Sequence, residues 1–236
     1  MNGLAIFDVD GTLCRSSDLD DRCWSDAASE VLGLPEIETD WSRYDHSTDE
    51  AIATQLIRDR TDLRPIRLQV ALVRDAFVRR VRDAIARDGG VSRPVPGAIE
   101  LFDQLEASGW GVAIATGGWR VTANLKLETA GIRAEGVPAA HADDAHPRES
   151  IVTIARERAE SRYGRTFDRL VYVGDGIWDV RASRSLGIGF LGIANGGRAD
   201  ELRDEGATQV LASFEPFSTL LGAIQVAETP GETGSR

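Results

Sequence analysis

The sequence is poor in cysteine and has no long hydrophobic run, and both features limit the classes of protein to which it can belong. Cys14 and Cys23 are the 2 cysteines in 236 residues, which gives no disulfide framework and fits a reducing compartment. The first apolar run, Leu4 to Phe7, is interrupted by Asp8 and is too short for a secretory signal. The longest weakly polar run, Leu186 to Ala194, has about half the length that a membrane-spanning helix needs. We therefore expect a cytoplasmic protein with no membrane partner.

Positive charge is also scarce, and lysine is nearly absent. The chain has 27 Lys and Arg against 38 Asp and Glu, which gives a formal net charge of −11, and its one lysine is Lys126. This balance argues against a protein that binds nucleic acid or an anionic membrane. A hydrophobic fraction of 42% and a charged fraction of 28% are ordinary for a globular protein. A length of 236 residues suits one large domain, or one domain with an insertion.

Short apolar segments alternate with amphipathic segments along most of the chain, which is typical of parallel α/β proteins. We predict strands over 4–7, 110–116, 137–140, 170–173, 188–193 and 208–211. We predict helices over 99–108, 120–129, 150–160, 178–186 and 216–226, with Ser150 as the N-cap of the third. The predicted fold is α/β, a doubly wound parallel sheet with helices on both faces.

Residues 15–93 break this alternation, because the stretch contains no convincing strand. Its apolar residues recur at helical spacing, most clearly over 70–85. The stretch ends in Gly89-Gly90 and Pro94-Val95-Pro96-Gly97, which are typical of a hinge or linker. We therefore predict two domains. Residues 1–14 and 94–236 form the α/β core, and residues 15–93 form an inserted α-helical cap.

Acidic and hydroxyl side chains follow the predicted strands at the points where these end. In a parallel sheet the carboxyl ends of the strands carry the functional site, so we expect these side chains to meet there: Asp8, Asp10, Thr116, Asp175 and Asp179. Several carboxylates in one place repel one another unless a cation lies between them or one is protonated. Mg²⁺, which takes few protein ligands and several waters, is the expected cation. Nearby hydroxyl and backbone N–H groups could hold phosphate oxygens, namely those of Thr12, Thr116, Gly117 and Gly118.

Three segments resemble the motifs of the haloacid dehalogenase superfamily. They are Asp8-Val9-Asp10-Gly11-Thr12-Leu13, Ala113-Ile114-Ala115-Thr116 and Val173-Gly174-Asp175-Gly176-Ile177-Trp178-Asp179. They occur in the order of that superfamily, and each stands at the end of an apolar strand. The resemblance runs from Leu4 to about Val226. It implies the Rossmann-like core of the superfamily, with residues 15–93 as its type-one helical cap.

The resemblance implies a Mg²⁺-dependent hydrolase that acts on the phosphomonoester of a small metabolite. Asp8 would be the nucleophile that forms an aspartyl-phosphate. Asp10 would protonate the leaving oxygen and then activate water. The metal ligands would be Asp8, the backbone carbonyl of Asp10 and Asp175. Asp179 would orient metal-bound waters or the cation of the third motif, and Thr116 would bind a phosphoryl oxygen.

The third motif of the superfamily is a lysine or arginine before the helix that precedes the last of these strands, and Arg148 occupies this place. His146 and Lys126 are the alternatives for the cation beside the phosphate. Substrate selectivity is expected to come from the cap. Its candidate stretch contains Arg43, Tyr44, His46 and Asp49, of which we take Arg43 and His46 as substrate-binding residues.

Phosphoglycolate phosphatase-like enzymes share this arrangement of motifs and cap. A phosphoserine phosphatase, or a phosphoglucomutase-like transfer that uses the same residues, stays open, and a non-catalytic binding relative is the alternative from another class. Dehalogenases lack a second acid and phosphonatases add a cap lysine, so Asp10 and the absence of lysine from residues 15–93 argue against both. The expected partner is a small phosphorylated metabolite and not a nucleic acid, for a protein that is a monomer or a homodimer.

Overall fold

The computed structural model describes residues 2–88 and 92–231 and has a parallel sheet at its centre. Its strands are β1 (Gly3–Phe7), β2 (Cys14–Arg15), β3 (Arg93–Pro94), β4 (Gly111–Ala115), β5 (Ala139–Ala140), β6 (Arg169–Gly174), β7 (Gly189–Ile193) and β8 (Val210–Leu211). Six of them pair in the order β5-β4-β1-β6-β7-β8, all in parallel. Phe7 at the end of β1 lies between Ile114 of β4 and Val173 of β6. This register brings the ends of the three motif-bearing strands together.

Helices cover both faces of this sheet. They are α1 (Ser17–Leu32), α2 (Asp49–Arg60), α3 (Ile66–Asp88), α4 (Leu101–Ala107), α5 (Arg120–Thr129), α6 (Arg148–Tyr163), α7 (Ile177–Leu186), α8 (Gly196–Asp204) and α9 (Phe217–Val226). Alternate residues of β1 enter different apolar clusters, because successive side chains of a strand point to opposite faces. Ala5 and Phe7 pack with α4 and α9, whereas Leu4 and Ile6 pack with α6 and α7. Burial from both sides explains why this strand is uniformly apolar, and it confirms the predicted doubly wound α/β fold.

One local prediction was wrong, and one helix was missed. Helix α6 begins at Arg148, with the extended Pro147 (ψ 137°) as its N-cap, so Ser150 lies inside the first turn and does not cap the helix. Helix α8 was not predicted at all. It begins with two glycines and buries only Ala199 and Leu202, which is too few apolar positions for a helical period to be visible in the sequence.

The chain leaves the sheet after β1 and returns before α4 through a short two-stranded ribbon. In it β2 pairs with β3 in antiparallel fashion, and Arg15 lies opposite Arg93. Between these strands, α1, α2 and α3 pack on one another around an apolar cluster that includes Trp24, Ile52 and Phe77 and is joined by Trp119 and Ala142. Of the predicted linker, Gly89-Gly90 lies outside the described residues, whereas Pro94 at the start of its second part pairs with Cys14 in this ribbon. In the described part of the chain, no helix is both long enough and apolar enough to cross a membrane.

Candidate active site

A cavity lies between the carboxyl edge of the sheet and the helical segment α1–α3. The α/β part lines it with Asp8, Asp10, Thr116, Gly117, Gly118, Arg148, Asp175, Trp178 and Arg198. The helical segment lines it with Ser17, Asp20, Asp21, Trp24, Trp41, Ser47, Asp49 and Ile52. The side chains expected at the strand ends therefore do meet, and they meet beneath the insertion.

Three buried carboxylates form the centre of this site. Asp8, Asp175 and Asp179 each bring one oxygen to within 4.8 Å of the others. Burial, and then repulsion by Asp179, raises the pKa of Asp8 well above its ordinary value. Burial and the same neighbour raise the pKa of Asp175 to about 7. The Oδ1 atom of Asp175 is buried and has no hydrogen-bond partner. Clustered, underbonded carboxylate oxygens are the donor set of a hard divalent cation, so these residues fit Mg²⁺.

The first motif requires glycine at position 11, where its backbone lies against this cluster. Gly11 has a φ of +77°, and a Cβ atom there would overlap the carboxylate of Asp175. Any other residue at this position would be strained by its backbone conformation and would displace a carboxylate of the cluster.

Arg148 lies against the carboxylates from the first residue of α6. Its Nη1 donates to Oδ1 of Asp8 at 3.1 Å, and its Nε lies 3.7 Å from Oδ1 of Asp179. Nη2 donates to the backbone carbonyl of Ser47 at 2.9 Å, which ties the arginine to the helical segment. His146 is exposed. Of the three cations considered for the third motif, Arg148 is therefore the one that contacts Asp8.

Lys126 instead binds Asp10. Its Nζ donates to Oδ2 of Asp10 and to Oδ1 of Asp20, both at 2.6 Å, and Ser16 donates to the other oxygen of Asp10 at 2.5 Å. Burial alone would lower the pKa of Lys126, but Asp10 and Asp20 outweigh this effect and hold that pKa above its ordinary value. The one lysine of the chain thus links the predicted acid–base residue to helix α1.

The segment after β4 lies in the cavity as expected, whereas Thr12 does not. Gly118 N–H donates to Oγ1 of Thr116 at 3.2 Å, so this hydroxyl and the backbone lie together in the cavity lining. A Cβ atom on Gly117 would lie within 2.9 Å of the Arg148 guanidinium. Thr12 is fully buried and is not among the lining residues. The expectation that its hydroxyl holds phosphate is corrected, because the side chain lies in the protein interior.

The expected cap contacts also need correction. Arg43 has 69% of its side chain exposed and pairs with Glu38 at 3.2 Å, and His46 is exposed as well. Neither lines the cavity, because both lie on the outer side of the segment. Tyr44 packs against Trp41. Asp49 alone of the four lines the cavity, and its Oδ2 accepts the backbone N–H of Trp119 at 2.8 Å.

The cavity residues of α1 were not predicted, although their spacing indicates that they share one face of a helix. Ser17, Asp20, Asp21 and Trp24 follow one another at intervals of three, one and three residues, and this places them on one face of the helix. Arg198 was missed because α8 was not predicted. Its Nη2 lies 3.4 Å from Oδ2 of Asp175.

Comparisons with known proteins identify the family of this chain. The sequence model of haloacid dehalogenase-like hydrolases matches residues 3–187. The chain belongs to the haloacid dehalogenase-like hydrolase family. This confirms the superfamily that its motifs resemble, and the chain is therefore an enzyme of that family.

Individual relatives of this hydrolase have similar lengths. A phosphoglycolate phosphatase of Agrobacterium fabrum (strain C58 / ATCC 33970) is 27% identical over 205 residues, which are 83% of this chain and 82% of the relative. A hydrolase from Pseudomonas syringae superposes with a TM-score of 0.72 at 22% identity, covering 95% of this chain and 99% of its own. CbbY from Rhodobacter sphaeroides, in complex with phosphate, gives a TM-score of 0.68 at 19% identity, covering 92% and 96%. The two solved structures share the fold.

Two carboxyls that line the cavity predict how the stability of the metal-free hydrolase changes with pH. Burial, followed by repulsion from Asp10 and Asp179 respectively, raises the pKa of Asp20 and of Asp175 from 3.8 to about 7. A carboxyl whose pKa is higher in the folded than in the unfolded protein makes its full contribution to stability below the pKa of the unfolded state. This contribution is lost as pH rises through the pKa of the folded state. The contribution of His141 to stability rises with pH instead, because burial lowers its pKa from 6.5 to about 4. This contribution is already present above pH 6.5 and changes little from there to pH 8. From pH 6.5 to 8, the free energy of unfolding should fall by about 1 kcal/mol for each of the two carboxyls.

Urea unfolding at pH 6.5 and 8, in EDTA and in Mg²⁺, measures this slope. Since a cation favours the ionised carboxylates, Mg²⁺ should stabilise the hydrolase more at pH 8 than at pH 6.5. The variant Asp175→Asn should have a shallower slope in EDTA. A metal-free stability that is constant or rises over this range would contradict the prediction.

Proposed function

We propose that this hydrolase is a Mg²⁺-dependent phosphatase that cleaves the phosphomonoester of a small metabolite through an aspartyl-phosphate on Asp8. The observation that carries the proposal is the contact of Asp8 with Arg148 at 3.1 Å, within a buried cluster of three carboxylates at the base of a cavity. The family and the phosphoglycolate phosphatase relative support a phosphatase.

Asp8, Asp175 and the backbone carbonyl of Asp10 would hold the metal. When bound, Mg²⁺ neutralises the carboxylates and the phosphoryl oxygens, so that a dianion can approach so many negative groups. Asp179 is itself fixed, because it accepts from Tyr172 Oη at 2.9 Å and from Gly176 N–H at 3.1 Å. It would act as a positioning residue that holds Arg148 and the metal-bound waters in place.

The chain's own residues then supply the two chemical steps. An oxygen of Asp8 attacks phosphorus, and the ester oxygen leaves with a proton from Asp10. Asp10 next takes a proton from a water molecule, whose oxygen attacks the phosphorus of the aspartyl-phosphate. Inorganic phosphate leaves, and the Asp8 carboxylate is restored. Arg148 and Thr116 line the cavity beside Asp8 and would bind the phosphoryl oxygens throughout.

Residues 15–93 would form the cap, and 1–14 with 94–236 the core. The ribbon of β2 and β3 is where the two crossings between them lie side by side, which is a suitable place for a hinge. Closure of the cap over the cavity would exclude water and bulky esters during the reaction. Both cysteines are free thiols, which fits the cytoplasm, where we place this enzyme as a monomer or homodimer.

Phosphate release tests the proposal. The purified hydrolase is assayed with p-nitrophenyl phosphate, phosphoserine and several sugar phosphates, in Mg²⁺ and in EDTA. We expect turnover that requires the metal. Turnover unaffected by EDTA would contradict the metal dependence. Isomerisation of a sugar phosphate without phosphate release would indicate the mutase reaction, and no reaction with any ester would indicate a non-catalytic relative.

A further inference from the structure

The part of the cavity that would face the leaving alcohol is acidic and aromatic. From the helical segment, Asp20, Asp21 and Asp49 bring carboxylates to the lining, and Trp24 and Trp41 bring indole rings. Among the described residues, this segment places no lysine, arginine or histidine in the lining. A substrate that extends from Asp8 towards α1 therefore meets carboxyl groups and aromatic surface.

Two of these carboxylates have no ion-pair partner in the described part of the chain. Oδ1 of Asp21 accepts from Trp41 Nε1 at 2.7 Å, and Asp49 accepts the backbone N–H of Trp119 at 2.8 Å. Both donors are neutral. Asp20 differs, because it pairs with Lys126 at 2.6 Å. Neither Asp21 nor Asp49 is thus paired with a counter-charge of the described residues, and burial raises the pKa of both, so that the ionised forms are favoured only when a cation binds beside them.

The cations of the cavity already face carboxylates of the protein. Arg148 contacts Asp8 and Asp179. Arg198 lies 3.4 Å from Asp175 and 3.8 Å from Glu201, and its guanidinium stands 5.7 Å from the centre of the Trp178 ring. A carboxylate on the leaving alcohol would therefore compete with protein carboxylates for either arginine.

We propose that the preferred substrate is the phosphate ester of an amino alcohol, whose ammonium group binds among Asp21, Asp49 and the ring of Trp41. This inference rests on the proposed phosphatase function and specifies its substrate class. Ammonium groups gain from nearby carboxylates and from indole faces, and they gain most where water is partly excluded. Phosphoglycolate, the substrate in the name of the curated relative, carries a carboxylate at this place and should be a poor substrate here.

Three esters of two-carbon alcohols test the charge preference with little change in size. They are O-phosphoethanolamine with an ammonium, 2-hydroxyethyl phosphate with a neutral hydroxyl, and phosphoglycolate with a carboxylate. We expect kcat/KM to fall in that order, by about tenfold at each step. Equal values, or a preference for phosphoglycolate, would overturn the inference and leave the phosphatase intact. Failure to hydrolyse any ester, p-nitrophenyl phosphate included, would overturn the phosphatase proposal and the inference with it.

A pair of variants on α1 separates a local contact from the general field of the protein. Asp21→Asn removes a charge from the cavity lining, and Asp18→Asn removes the same charge from an exposed position on the same helix. The ratio of kcat/KM for phosphoethanolamine to that for hydroxyethyl phosphate should fall about tenfold in Asp21→Asn. It should stay unchanged in Asp18→Asn. An unchanged ratio in Asp21→Asn, or an equal fall in both variants, would count against binding at Asp21. The comparison of the three esters needs no variant and stands even if Asp21→Asn folds poorly.

Discussion

Replacement of Asp8 by Asn is expected to reduce kcat for phosphate release by at least about a thousandfold. The amide oxygen of asparagine is a weak nucleophile, so the aspartyl-phosphate does not form at a useful rate. The contact with Arg148 at 3.1 Å can persist, because an amide oxygen still accepts a hydrogen bond. The measurement is phosphate release from p-nitrophenyl phosphate in Mg²⁺, for wild type and variant.

The same substitution should leave the fold intact, which separates loss of chemistry from loss of structure. Asp8 is buried and is repelled by Asp179 and Asp175, so removal of its charge relieves repulsion in the metal-free protein. We expect a Tm in EDTA equal to or above that of wild type. Asp103→Asn, at a side chain with 73% exposure on α4, is a matched control that should keep full activity. An Asp8→Asn variant with more than about a tenth of wild-type turnover would rule out Asp8 as the nucleophile.

The sequence predicts those features of this hydrolase that depend on neighbours along the chain. Strands such as β1 are apolar throughout because both of their faces are covered, and the reactive residues follow them directly. The place of Asp8 and Asp175 at one edge of the sheet could thus be predicted, because parallel sheets carry their sites at the carboxyl ends of the strands. Arg148 could be placed near them only through the resemblance to the third motif of the superfamily.

Contacts between distant parts of the chain could not be predicted in this way. Asp20 and Trp24 line the cavity whereas Arg43 is exposed, and this difference depends on packing within the helical segment. Lys126 and Asp20 are 106 positions apart. A lone lysine on an amphipathic helix gives no sign of such a partner, so it could only be named as one of several cations near the phosphate.

Replacement of Lys126 by Met should reduce both stability and turnover. The lysine side chain is fully buried between Asp10 and Asp20, and its loss leaves two carboxylates without a counter-charge. Breaking a buried ion pair by removing one partner costs about 3–5 kcal/mol, so urea unfolding should show a loss of this size. If Asp10 is the acid and base as proposed, Lys126 is a positioning residue for it and links it to α1. We therefore expect kcat to fall by about tenfold or more while KM changes little.

A second substitution distinguishes an electrostatic role of Lys126 from simple packing. If the stability loss comes from uncompensated charge, the double variant Lys126→Met with Asp20→Asn should recover about 1–3 kcal/mol, because one of the two carboxylates is then neutral. Its kcat should stay low, since Asp10 still lacks its lysine. A double variant whose losses are the sum of those of the single variants would show that Lys126 and Asp20 are not coupled. Recovery of kcat together with stability would instead show that the lysine serves the fold alone, and that Ser16, which donates to Asp10 at 2.5 Å, is sufficient to position the acid.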